Sequence, residues 1–311
     1  MTRVAAIDCG TNSIRLLVAD IDVEPSTLTD VERRMEIVRL GQDVDRTGRL
    51  APEALERTFA ACDTYAQVVR RSGAEKVRFV ATSATRDVAN RDAFVAGVRH
   101  RFGVEPEVVT GDDEAALSFT GATRELASSG LPRPFLVVDI GGGSTELVLG
   151  DPAASPRAAV SVDVGSVRMT ERHLHDDPPT AEQVAAARAD IAAGVRLAGR
   201  TVPLAEARTL VGLAGSVTSV AAMALDLPAY LPERIHVAHI PAADIHRVAD
   251  RLLAMTREQR AALPFLHPGR VDVIGAGALV LAVVLESVPV DEIVISEHDI
   301  LDGIAWSILE R

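Results

Sequence analysis

Ile7-Asp8-Cys9-Gly10-Thr11-Asn12-Ser13 and Val138-Asp139-Ile140-Gly141-Gly142-Gly143-Ser144 stand 131 positions apart and follow one plan. Each comes after an apolar run that reads as a buried strand (Val4–Ile7; Phe135–Val138). Each leads into a second β-like run, Ile14–Ala19 and Leu147–Leu149. A strand ending in Asp, a glycine-bearing turn with a hydroxyl, and a second strand form a hairpin whose tip can wrap a phosphate. Glycine lets backbone amides converge on an anion, and the Asp can hold a cation against it. One such turn is equally well read as an ordinary β-turn rich in Asp, Asn and Gly. Two copies point to two homologous halves that share one phosphate chemistry.

The alternation around these hairpins agrees. The first half reads as strands over 4–8, 13–20 and 31–39, then a helix over 52–72 that starts at Pro52 and stops before Gly73. Strand 77–81, helix 91–102, strand 106–110 and helix 112–127 follow. Ser128–Pro134 is the best linker candidate, dividing the chain into domains over 1–127 and 128–311. The second half restarts with strands 134–140, 145–149 and 158–164, with 151–158 as a hairpin connection. It continues with helices 166–174 and 180–199, strand 208–213 and helix 216–225. Helices 244–255 and 270–286, strand 291–296 and helix 299–310 complete it. The prediction is an α/β fold of two similar domains with a ligand cleft between them.

Composition narrows the function. The 311 residues are 48% hydrophobic and carry a net charge of −12, which disfavours nucleic-acid binding. Lys76 is the single lysine and follows Glu75, so no Gly-Lys-Ser/Thr P-loop exists. The strongly apolar uncharged stretch Val273–Leu285 falls short of the roughly 18 residues of a membrane span. Two cysteines, Cys9 and Cys62, and no leader-like N-terminus point to a reducing cytoplasm.

Three more elements carry polar chemistry. Leu213-Ala214-Gly215-Ser216 takes a strand into a helix, where free amides suit an anion; plain capping by Ser216 explains it equally. Ala81-Thr82-Ser83-Ala84-Thr85-Arg86 is its first-half counterpart, and Arg86 and Arg91 are candidate phosphate clamps. Gly111-Asp112-Asp113-Glu114 opens a helix, where acids are favoured by the dipole alone or serve as a general base. The histidines, including His236, His239 and His298, show no recognised zinc spacing and are read as surface or local hydrogen-bonding groups.

Taken in order, Asp8–Ser13, Thr82–Arg86, Gly111–Ala115, Asp139–Glu146 and Gly212–Ser216 resemble exopolyphosphatase/guanosine pentaphosphate phosphatase (Ppx/GppA) proteins over essentially the whole chain. The resemblance implies two actin-like (ribonuclease H-like) domains of the sugar-kinase and actin superfamily. It implies Mg²⁺-dependent hydrolysis of the terminal phosphate of inorganic polyphosphate, with Mn²⁺ as a substitute metal. Guanosine pentaphosphate is the alternative substrate; an actin-like kinase and a non-catalytic sensor are the more remote readings. It gives Glu114 as base, with Asp139 and Glu146 as catalytic acids that orient water and, with Asp8, hold the metal. Asn12, Ser13, Arg86, Gly141, Gly142, Gly143, Ser144, Gly215 and Ser216 would contact phosphate. Crowding by Asp113, Asp139 and Glu146 is expected to make Glu114 a better proton acceptor. The resemblance also implies a homodimer, and the end at Arg311 matches the short form, for which short polyphosphate chains are expected. Asp113 stands where many members carry Glu.

Overall fold

A computed structural model describes residues 1–22, 27–86, 88–152 and 156–309. The chain forms two units, Met1–Gly121 with the segment from Ile300 onward, and Ala122–Asp299.

In the first unit, β1 (Thr2–Cys9), β2 (Ser13–Asp22) and β3 (Thr27–Ile37) form an antiparallel meander. The helices α1 (Val44–Thr47) and α2 (Pro52–Ser72) then lead to β4 (Lys76–Ala81), which pairs parallel with β1. After α3 (Ser83–Arg86) and α4 (Arg91–Phe102) comes the short β5 (Glu107–Val108), parallel to β4, and then α5 (Gly111–Thr123). The sheet order is β3-β2-β1-β4-β5.

The second unit starts with a 3₁₀ turn (Glu125–Ser128) and repeats the scheme. Strands β6 (Phe135–Ile140), β7 (Thr145–Gly150) and β8 (Ala158–Val162) form its meander; residues 153–155 of the expected connection lie outside the described residues. Helices α6 (Ser166–His173) and α7 (Ala181–Ala198) precede β9 (Thr209–Leu213), which pairs parallel with β6. Next come α8 (Ala214–Ala224), α9 (Pro232–Ile235), the short β10 (His239–Pro241), α10 (Ala242–Ala254), α11 (Arg257–Ala261) and α12 (Ile274–Leu285). The unit closes with β11 (Glu292–Ile295), parallel to β9. The order β8-β7-β6-β9-β11 matches the first sheet strand for strand, with β10 added antiparallel at the edge. The duplication expected from the two Asp-Gly hairpins therefore extends to the topology of both sheets.

Period-two alternation sets which face each side chain takes. Ala5, Ile7 and Cys9 pack with Ile14, Leu16 and Val18 against Ala61, Cys62 and Tyr65 of α2. Val4, Ala6, Leu17 and Ala19 point to the other face, and so does Asp8 by the same alternation. In the second unit Leu136, Val138, Ile140, Leu147 and Leu149 join one large core, which sets Asp139 and Glu146 on the opposite face.

The domain division differs from the one the linker suggested. Segment 128–134 docks within the second unit, where Thr209 Oγ1 donates to the Pro132 carbonyl (2.8 Å) and Arg133 Nη2 to that of Ala127 (2.7 Å). The last helix, α13 (Ile300–Ser307), returns to the first unit. There Ile300, Leu301 and Ile304 join Val4, Ala6 and Leu17 in one buried cluster on this face of the sheet. Asp302, buried on α13, accepts from Arg33 Nη2 of β3 at 2.6 Å. Sequence periodicity also missed α1, α3, α9, α11 and β10, each too short to show a period. Helix 112–127 divides into α5 and the 3₁₀ turn.

Candidate active site

In the first unit, the hairpin closes through Gly10 N–H donating to the Ser13 carbonyl (2.9 Å). The turn is held from outside by the amides of Val38 and Arg39 on Asn12 O (3.0 and 2.9 Å) and by Gly41 N–H on Thr11 O (2.8 Å). The carbonyls of Thr11, Asn12 and Ser13 are occupied, while the amides of Thr11 and Asn12 donate to no described group. Thr11 Oγ1 lies 2.8 Å from Ser83 Oγ, joining the turn to α3. Asn12 Oδ1 is shielded from solvent and accepts no hydrogen bond among the described residues.

Asp8 lies opposite Arg15 across β1 and β2 and is buried. Its Oδ2 accepts from Arg15 Nη2 (2.6 Å) and Nε (3.0 Å). A guanidinium thus already balances the carboxylate expected to ligate metal, which narrows any metal role to Oδ1.

Glu114 sits in the first turn of α5 and is 8% exposed. Its neighbour Asp113 turns away: Thr110 Oγ1 donates to Asp113 Oδ2 (2.7 Å), and Asp113 N–H donates back to Thr110 Oγ1 (3.1 Å), which caps the helix. Asp112 is exposed. The residue that meets Glu114 is Arg86, whose Nη2 donates to Glu114 Oε2 while its Nε donates to the Val109 carbonyl (3.2 Å). Within its own unit Glu114 therefore has a cation beside it instead of the expected crowd of carboxylates. Arg91 is used structurally, donating from Nε to the Thr85 carbonyl (2.9 Å).

The second unit repeats the closure, with Gly141 N–H donating to the Ser144 carbonyl (3.0 Å). The amides of Ser166 and Val167 at the start of α6 bond the carbonyls of Gly141 (2.9 Å) and Gly142 (2.8 Å), and Arg168 Nε bonds that of Gly143 (2.7 Å). The approach is so close that a Cβ on Gly165 would stand 2.4 Å from the Gly142 carbonyl oxygen. With its carbonyls taken, the loop leaves the amides of Gly142, Gly143 and Ser144 without a described acceptor. Those three donors form a nest of the kind that holds an anion.

At the register where Asp8 faces Arg15, Asp139 faces Glu146. Both carboxylates are buried, at 6% and 1% exposure, on the same side of adjacent strands. Like charges in that arrangement repel unless a cation or a proton lies between them. Ser161 Oγ on β8 donates to Glu146 Oε1 (2.6 Å) and holds that carboxylate in place. Two hard oxygen donors on facing strands fit Mg²⁺ by ligand type.

The third glycine element is also anion-ready. Ala214, at φ 68°, makes the left-handed step from β9 into α8. Arg270 packs against the next residue so closely that a Cβ on Gly215 would stand 2.0 Å from its Nη2. Buried Ser216 completes the helix start. Arg270, Ser161 and the Gly165-Ser166 start of α6 escaped the sequence reading. The helix predicted over 270–286 starts later, and Arg270 ends a 3₁₀ turn (Pro268–Arg270) ahead of α12.

Comparison with known proteins gives a consistent result. Residues 17–311 match the model of the Ppx/GppA phosphatase family. The chain is 52% identical to a Mycobacterium tuberculosis protein named Exopolyphosphatase 2, covering 99% of each. A crystal structure titled as an exopolyphosphatase-like protein superposes with a TM-score of 0.94 at 44% identity, covering 99% of this chain and 97% of the other. The Aquifex aeolicus Ppx/GppA family member gives 0.80 at 29% identity, with 100% and 99% covered. No helix among the described residues is long and apolar enough to cross a membrane.

Proposed function

The chain belongs to the Ppx/GppA phosphatase family, and from that premise we propose that it is an exopolyphosphatase, releasing the terminal phosphate of inorganic polyphosphate by attack of water. The single observation that carries this reading is the asymmetry between the hairpins. Asp8 meets Arg15 in the first, and Asp139 meets Glu146 in the second. The first pairs a carboxylate with a guanidinium, whereas the second sets two carboxylates, the donor type of a hard cation, at the same register.

A phosphoanhydride resists hydrolysis because its oxygens repel the nucleophile, so the protein's task is neutralisation and positioning. The free amides of Gly142, Gly143 and Ser144 hold phosphate oxygens, as do the start of α8 at Gly215 and Ser216 and the Arg270 guanidinium. In the first unit the turn amides, Asn12, Ser13 and Arg86 do the same. In the second unit Asp139 and Glu146 would hold Mg²⁺, or Mn²⁺ in its place, and in the first Asp8 would offer its second oxygen to a cation. Such an ion would screen phosphate charge and polarise the bond to be broken. Glu114 orients the attacking water and accepts its proton. Arg86, drawn toward phosphate, releases Glu114 for that role. The same reading places the enzyme in the cytoplasm as a homodimer.

The test is phosphate release from polyphosphates of graded length, guanosine pentaphosphate and ATP, each with and without Mg²⁺. Metal-dependent release from polyphosphate, fastest on short chains, is the expected result. Faster turnover of guanosine pentaphosphate would transfer the assignment to that substrate. Phosphorylation of an acceptor from ATP would overturn hydrolysis altogether.

A further inference from the structure

Glu125, His236 and His298 are far apart in sequence and offer no zinc-like spacing, yet they converge in the second unit. His236 Nε2 lies 3.2 Å from Glu125 Oε2, and His298 Nδ1 lies 3.1 Å from the same oxygen. One ligand atom from each residue falls within 4.8 Å of the others. The two imidazole rings are 4.8 Å apart and tilted by 32°.

We propose that these three residues form a site for a zinc-class divalent cation, separate in position and ligand type from the carboxylate pair Asp139–Glu146. Two imidazoles and one carboxylate are a borderline donor set, which selects zinc over Mg²⁺. Tetrahedral zinc with bonds of about 2.0–2.2 Å sets its ligand atoms roughly 3.3–3.5 Å apart. The two imidazole–carboxylate separations already stand a few tenths of an ångström from that spacing. Side-chain exposures of 56%, 22% and 40% leave an entry path and a fourth position for water.

The backbone presents the ligands in fixed places. His236 N–H donates to the Pro232 carbonyl (2.8 Å), and Val237 N–H to that of Ile295 (2.8 Å). Ser296 Oγ donates to the His298 carbonyl (2.7 Å). Val237, the residue after His236, adopts φ 58°, a strained conformation for a β-branched side chain. Glu297 N–H donates to His236 Nδ1 (3.2 Å), so in the metal-free arrangement Nε2 carries the ring proton and faces Glu125. On metal capture that proton moves from Nε2 to Nδ1, the ion takes the Nε2 lone pair, and the Glu297 amide contact is given up.

Glu125 lies four residues beyond Gly121 and His298 two residues before Ile300, so the ion would join the stretches by which the chain enters and leaves the second unit. Its expected effect is a staple on that unit.

The test uses the full chain with excess Mg²⁺ present to occupy oxygen-only sites. Zinc is titrated against a chromogenic chelator, and Co²⁺ is added to a separate sample for its visible spectrum. One zinc per chain, tetrahedral cobalt bands and a zinc-dependent rise in unfolding temperature are expected. His298→Ala, at a partly exposed position, and Glu125→Gln, at an exposed one, should each weaken zinc binding about 100-fold or more and remove the temperature shift. Asp139→Asn should leave all three unchanged. Absence of a one-equivalent zinc site in the wild type would overturn the assignment. So would binding unaffected by His298→Ala and Glu125→Gln, or binding lost in Asp139→Asn.

Discussion

Glu114 is ion-paired with Arg86, 28 residues earlier in the chain, and the pair is largely buried. The proposed base and a proposed phosphate ligand thus hold each other when no substrate is bound. Glu114→Gln should lower kcat about 10²–10⁴-fold, the range for loss of a general base, with little change in KM. Arg86→Ala should raise KM and destabilise the fold by about 3 kcal/mol, because it strands a buried carboxylate. The double variant should recover part of that loss. Steady-state kinetics and denaturant titration measure these effects; an additive double variant would mean that the pair is not coupled.

The facing acids give a metal-linked prediction. Glu146→Gln keeps the acceptor for Ser161 while removing one of the two carboxylates proposed to hold the ion. Mg²⁺ should raise the unfolding temperature of the wild type and leave the variant unmoved. Calorimetry with and without Mg²⁺ reads the difference; an equal shift in both would remove Glu146 from the metal site.

Gly165 is the most constrained glycine on the site's scaffold, since an added Cβ would meet the Gly142 carbonyl oxygen at 2.4 Å. Neither partner is a flexible side chain, so the loop itself must shift. Gly165→Ala should cost about 1–3 kcal/mol and raise KM for polyphosphate as the amide nest opens. A variant with wild-type KM would separate the loop from substrate binding.

The buried thiols supply a pH prediction. Burial pushes the Cys62 thiol from about 9 up to about 12 and raises Cys9 well above its usual value. The folded chain therefore holds these protons more tightly than the unfolded chain does. Their contribution to stability is complete below about pH 9 and is lost as pH rises from there through about 12, at roughly 1.4 kcal/mol per pH unit per thiol. Cys62→Ala should flatten part of that slope in denaturant titrations above pH 9. Native protein at pH 8 should also resist thiol alkylation at both positions.

Much of this was legible in the sequence because it rests on short-range rules. Strand alternation, Pro52 and Gly73 at the ends of α2, and the glycine turns each leave a local pattern. Asp139 and Glu146 were visible as residues of one short motif, and the register that sets them face to face came from the structure. Arg270 left no such pattern, because its contact with Gly215 spans 55 residues. The meeting of His236 and His298 at Glu125 left none for the same reason.

By itself, the sequence determined two related halves and the acids and glycines at their turns. Those are consequences of side-chain period and backbone freedom within a few residues. The tertiary structure alone decided that α13 completes the first sheet, that Arg86 restrains Glu114, and that Glu125, His236 and His298 meet. Each of these joins distant segments, and closing such loops depends on which apolar faces must be buried together. No local pattern records that outcome.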